Sequence, residues 1–180
     1  MSSLRSSYGK IANTTRVPLA QPMSLNGVVG GSTSMAVDGS TTPVIFYYQP
    51  TANEMATIFD YSIVIGDAGN TGENDYGSII GPLLNGVQFF AVIDGVEFDF
   101  GTPVIRAAQY FARGARVNFI ELSGNKRIAN YQFSFFDTSD GTRLNGQNGD
   151  RLGVKIQDNL STLSAHTVSI SGFMRNIVGS

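Results

Sequence analysis

The sequence predicts an all-β protein: a single β-sandwich of jelly-roll-like topology, with an extended N-terminal arm and at most one short helix. Two observations predict it, turn dipeptides that recur along the chain and apolar runs of period two between them, in a chain of 180 residues. A chain of that length buries about 70% of its unfolded surface, so one domain holds a core without disulfide or metal. We expect an arm over residues 1–25 and the sandwich over 26–180.

The turns come first. Asn26-Gly27, Asp38-Gly39, Asn85-Gly86, Asp94-Gly95, Asp140-Gly141, Asn145-Gly146 and Asn148-Gly149 are pairs that tolerate the positive φ angles of tight hairpins. Between them, "RLGVKIQ" sets Leu152, Val154 and Ile156 against Arg151, Gly153, Lys155 and Gln157, which places one face in a core and the other in water. "IANYQFSFF" alternates likewise, with Ala129, Tyr131, Phe133 and Phe135 inward. Further strands are expected at "SMAV", "VIFYY", "ATIFDYSIVI", "VQFFAVI", "VEFDF", "RVNFIEL" and "HTVSISGF". Both alternating sets of "ATIFDYSIVI" hold large apolar groups, so it reads as a central strand covered on both faces. The one helix expected runs from a Thr102 cap and Pro103 through "VIRAAQYFAR" to Gly114.

Composition excludes much chemistry. The absence of cysteine removes thiol nucleophiles and thiolate metal sites. Charged residues make up 14% of the chain, against about 25% in an ordinary domain, which makes its surface easier to desolvate against a partner. An assembling protein rather than a functional monomer is expected on that ground. Residues 1–37 carry Arg5, Lys10 and Arg16 and no acid. Three charges on an arm are too few for nucleic-acid binding, which neutralises several phosphates at once. No run is long and apolar enough for a membrane span or a signal peptide, so neither membrane nor export is expected.

Candidate chemistry is sparse. The loop "DAGNTGENDYG" crowds Asp67, Asn70, Glu73, Asn74 and Asp75, but only Asp67 and Gly72 fit the ligand order of an EF-hand. It reads as a turn in which Asp67 accepts from the amides of Gly69 or Asn70, with no metal. His166 is the one histidine, in phase with Val168 and Ile170, and no G-x-S-x-G elbow accompanies it. A satisfied, half-buried histidine is expected rather than a base. Glu97 and Asp99 share one face of a strand, which reads as a solvent face rather than a glycosidase pair. Catalytic residues, cofactors and metals are therefore all expected to be absent.

Two stretches, "DAGNTGENDYGSIIGPLLNGVQF" and "TRLNGQNGDRLGVKIQDNLSTLSAHTVSISGF", resemble a group of tailed-bacteriophage virion structural proteins. The resemblance covers roughly residues 45–174 and leaves the arm unmatched. Asp67, Tyr76, Gly77, Asn85 and Gly86 match its first motif; Gly146, Gly149, Asp150, Asp158, Leu160, Ser161 and His166 match its second, as turn and packing positions. It implies a non-enzymatic capsid decoration or cement protein, located in the virion and assembled in the host cytoplasm, with the major capsid protein or other virion proteins as partners; on that reading a homo-oligomer is expected, with a trimer favoured. The alternatives are a neck, tail or fibre component, or a carbohydrate-binding β-sandwich module using Tyr47, Tyr61 and Tyr110. The arm is expected to grip the partner through Arg5, Lys10, Ile11, Arg16, Val17 and Leu19, lying extended across it. Deleting residues 1–22 is then expected to leave the melting transition unchanged while weakening attachment.

Overall fold

In a computed structural model, residues 16–67, 75–99, 106, 115–122, 126–134 and 141–177 are described, with the backbone alone for 67, 115–122 and 126–134. They form two antiparallel sheets packed face to face, an all-β sandwich. In chain order the strands are β1 (Val17–Pro22), β2 (Ser24–Leu25), β3 (Val44–Tyr48), β4 (Glu54–Asp67), β5 (Val87–Ile93), β6 (Val96–Asp99), β7 (Ala115–Leu122), β8 (Lys126–Ser134), β9 (Thr142–Asn145), β10 (Arg151–Ile156) and β11 (Ala165–Asn176). One sheet runs β1-β11-β4-β8-β7, with β9 beside β4; the other runs β2-β3-β10-β5-β6.

Alternation builds the core. Leu152, Val154 and Ile156 of β10 are all fully buried, as are Ile58 and Ile63 of β4 and Val168 of β11. The register sets Ala129, Tyr131 and Phe133 of β8 opposite Ile65, Ile63 and Tyr61, the inward set of β4. Across the sandwich, Tyr61 of one sheet stacks on Phe89 of the other with ring centroids 4.7 Å apart. Burial pushes the Tyr61 hydroxyl up to about 12.

The strand covered on both faces is β5, not β4. In β5, Phe89 and Ala91 point into the core, while Phe90 and Val92 are buried on the outer face. Gly153 of the neighbouring β10 makes room for this: a Cβ there would stand 2.4 Å from the Phe90 ring. The Lys155 ammonium lies 5.0 Å over the same ring and pairs with Glu97. In β4 the outward set, Thr57, Phe59, Ser62 and Val64, is only half-buried.

Two turns follow their sequence signal directly. Asn26-Gly27 has φ of 50° and 65°, and Asp94-Gly95 has 50° and 77°, so each is a two-residue turn with both central residues left-handed. "SMAV" forms no strand: Met35 is held by a backbone hydrogen bond to His166 O at 2.7 Å, outside either sheet. The expected helix lies outside the described residues apart from Arg106.

The arm boundary at residue 25 is corrected. From Val17 onward the chain is sheet: β1 pairs with β11 from Val17↔Met174 to Pro22↔Ser169, and β2 pairs with β3. Leu19, one of the residues assigned to a partner, is 7% exposed and serves the chain's own core, as does the fully buried Met23. Residues 1–15, with Arg5, Lys10 and Ile11, lie outside the described residues.

Candidate functional site

The strongest polar cluster sits at the end of the sandwich where β4 and β10 finish and β5 and β11 begin. Strand alternation turns His166 inward from β11, and the loop after β4 brings Tyr76 to it. The Tyr76 hydroxyl lies 2.8 Å from His166 Nε2, and Nδ1 lies 3.3 Å from Met35 O. A carbonyl only accepts, so Nδ1 carries the proton and Nε2 accepts from the Tyr76 O–H. The rings also meet edge to face at 5.6 Å. His166 is fully buried rather than half-buried, and burial lowers its pKa to about 4 against a smaller raising effect of the Met35 carbonyl. At neutral pH it is an uncharged imidazole enclosed by protein, shut off from any substrate in solution.

A second polar knot lies beside the first. Both Asp158 carboxylate oxygens gather the backbone N–H groups that open β5: Oδ1 accepts from Leu84 at 3.1 Å, and Oδ2 from Asn85 at 3.0 Å and Gly86 at 2.5 Å. Asn85 Nδ2 returns a bond to Gln157 O at 3.0 Å. In the same loop Asp75 accepts from Gly81 N at 2.7 Å, and Tyr76 and Ile79 exchange backbone hydrogen bonds. Gly77 has φ of 60°, and a Cβ there would stand 2.7 Å from Ile65 and Leu163. At the opposite end Asp150, 3% exposed, accepts from Asp94 N at 2.9 Å and Asn145 N at 2.8 Å. In each case a carboxylate satisfies turn amides.

The two stretches quoted for the phage resemblance thus meet in space. Tyr76 of the first bonds His166 of the second, and Asn85-Gly86 of the first bonds Asp158 of the second. Asp67 stands at the end of β4, while Gly69, Asn70, Glu73 and Asn74 fall outside the described residues. Among the described residues, no group of three or more His, Cys, Asp or Glu is placed to hold a metal ion. No described helix is long and apolar enough to cross a membrane.

Of the residues assigned to a partner, Arg16 and Val17 are exposed, and Leu19 is in the core. Of the three tyrosines considered for carbohydrate, Tyr61 is buried and Tyr110 lies outside the described residues. Tyr47 is flanked by Gly27 and by the Arg151 guanidinium, 5.3 Å from its ring centroid. Sequence reasoning missed a cleft of about 250 Å³ between the end of β1, the β2–β3 pair and the loop Gly27–Gly31. Its one sequence signal is the run "NGVVGG", two exposed valines among glycines. No protein-family model, curated protein or solved structure matches the chain.

Replacing Asp158 with Ala is expected to cost about 1.5 to 3 kcal/mol, because charge-assisted bonds to three amides are lost together. Amide exchange at Leu84, Asn85 and Gly86 should accelerate with it. Unchanged protection at these amides would show that the carboxylate does not hold the loop.

Proposed function

We propose that the chain is a non-enzymatic structural protein of a virus particle that binds the capsid surface as a decoration or cement component. The observation that carries this reading is strand order. Number the eight principal strands, β1, β3, β4, β5, β6, β8, β10 and β11, from first to eighth. Their hydrogen-bonded pairs then include first with eighth, second with seventh, third with sixth and fourth with fifth. That nesting, one long hairpin rolled over into two sheets, supports the jelly-roll reading, and jelly rolls recur in viral capsid, lectin and cupin domains.

Chemistry narrows that set. A cupin metal centre draws on several histidines, and this chain has one. A lectin reading needs an open aromatic platform; of the two tyrosines considered for it that are described, Tyr61 is buried and Tyr47 is flanked by Gly27 and Arg151. The low charge, and the polar knots consumed by backbone amides, fit a protein whose work is packing. The major capsid protein, or another protein of the particle, is the partner this reading names.

The test is co-sedimentation of purified protein with isolated phage shells, beside a glycan array. Saturable binding to shells at fixed sites is expected. Indifference to shells, together with specific glycan binding, would replace this reading with the carbohydrate-binding one.

A further inference from the structure

The loop joining β4 to β5 holds two large aliphatic side chains in water. Ile79 and Leu83 pack toward the core, while Ile80 and Leu84 point outward at 93% and 80% exposure. Its described part, residues 75–86, is tied at several points: Asp75 bonds Gly81 N, Leu83 N donates to Arg106 O at 2.8 Å, and Asp158 holds the three amides that follow. A loop so constrained has little freedom left to lose on binding. Its exposed aliphatic surface gives a driving force for burial of about 25 cal/mol per Å². Asp75 and Asp158, the carboxylates described beside these residues, are already hydrogen-bonded to the loop's own amides.

The cleft beside β2 has complementary properties. Pro22, Val28, Tyr47 and Tyr48 line it together with uncharged polar residues such as Gln21 and Gln49, and no Asp, Glu, Lys or Arg is among its lining residues. Burial, with the Glu54 charge as a smaller cause, pushes the Tyr48 hydroxyl up to about 12, so the wall is neutral at physiological pH. At about 250 Å³ the cleft also falls below the roughly 300 to 1,000 Å³ of small-molecule pockets, so it suits a side chain or two rather than a whole ligand.

We propose that Ile80 and Leu84 of one copy seat in this cleft of a second copy. Knob and cleft are different patches of one surface, so the contact is heterologous and propagates into a closed ring or an open array unless two copies reciprocate. The inference deepens the reading as an assembling virion protein and rests on it for its biological setting, but self-contact is measurable without any particle.

The absence of cysteine makes the test clean, because every introduced thiol is the only one present. Val28→Cys and Leu84→Cys proteins are prepared separately, mixed and mildly oxidised. A disulfide needs Cα atoms within about 7 Å, so only a real contact brings these positions together. The mixed dimer is expected in clear excess over both homodimers. In sedimentation, Leu84→Asp should weaken self-association at least about tenfold, which corresponds to about 1.4 kcal/mol. Its melting transition should stay at the wild-type value, which separates a lost contact from a lost fold. Cross-linking no greater than between Val28→Cys and a Ser40→Cys control would overturn the proposal, as would a wild-type chain that sediments as a monomer at high concentration. Shell co-sedimentation is read separately: cross-linking without shell binding removes the virion reading and leaves the self-contact standing.

Discussion

Between pH 6.5 and about 4 the protein is expected to lose about 3 kcal/mol of stability through His166 alone. Burial holds the folded imidazole at about 4, whereas the unfolded chain titrates near the model value of 6.5. Within that window the unfolded state binds the proton and the folded state does not. The contribution is therefore complete above 6.5, falls as the pH drops, and levels off below about 4. Against a total of about 5 to 15 kcal/mol for a typical domain, that is a large share. Urea midpoints followed from pH 7.5 down to about 5.5 isolate the first part of the histidine's loss, because carboxylates that titrate near 3.9 to 4.3 are still almost wholly ionised there. His166→Gln, whose amide can donate toward Met35 O and accept from Tyr76, should be less stable at pH 7 and nearly flat across the window. A wild-type profile as flat as that of the variant would show that the imidazole is not enclosed.

Most strands were legible because turn chemistry and alternation agreed. "VIFYY" and "VQFFAVI" coincide with β3 and β5 at both ends, since each run is stopped by Pro43, Gln49, Gly86 or the Asp94-Gly95 turn. Where tertiary context decides, the pattern misleads. β4 reads as buried on both faces, yet its ladder with β11 slips by one residue between Ser171 and Gly172, opposite Phe59. That bulge resets the alternation, so Ile58 and Tyr61 face the same way. Gly172 permits the close approach, because a Cβ there would stand 2.0 Å from Thr57 O. β9 is too short for a period to register, with only Leu144 of its four residues buried.

The polar knots were legible as positions but not as contacts. His166 was placed inward by phase, and Asn85-Gly86 as a turn. That Tyr76 reaches His166 across 90 positions follows only from the pairing of β4 with β11, which no local pattern reports. The cleft was harder still, since it is built from strand ends and backbone that carry no chemical signature.

Removing residues 1–22 should destabilise the sandwich by at least about 4 kcal/mol, the reverse of what a free arm predicts. Pro18 and Pro22 disfavour helix, but proline is at home on an edge strand, where its missing N–H breaks no ladder, and β1 is such an edge. The deletion removes all six residue pairs with β11 and leaves that twelve-residue strand with an open edge. It also removes Leu19, and loss of a buried leucine alone costs about 2 to 5 kcal/mol. Met23, fully buried and bonded through its N–H to Val168 O at 2.8 Å, would become the new terminus beside the gap left by Leu19. Deletion through residue 15 keeps β1 whole and should cost far less. Val17→Ala, at a side chain 48% exposed, should stay within about 0.5 kcal/mol. Thermal unfolding of the two truncations side by side decides the matter: if the longer deletion melts with the wild type, β1 is dispensable and Leu19 returns to the list of partner contacts. If it melts early while the shorter one does not, the segment available to a partner ends before Val17, and Arg5, Lys10 and Ile11 are the residues to test for attachment.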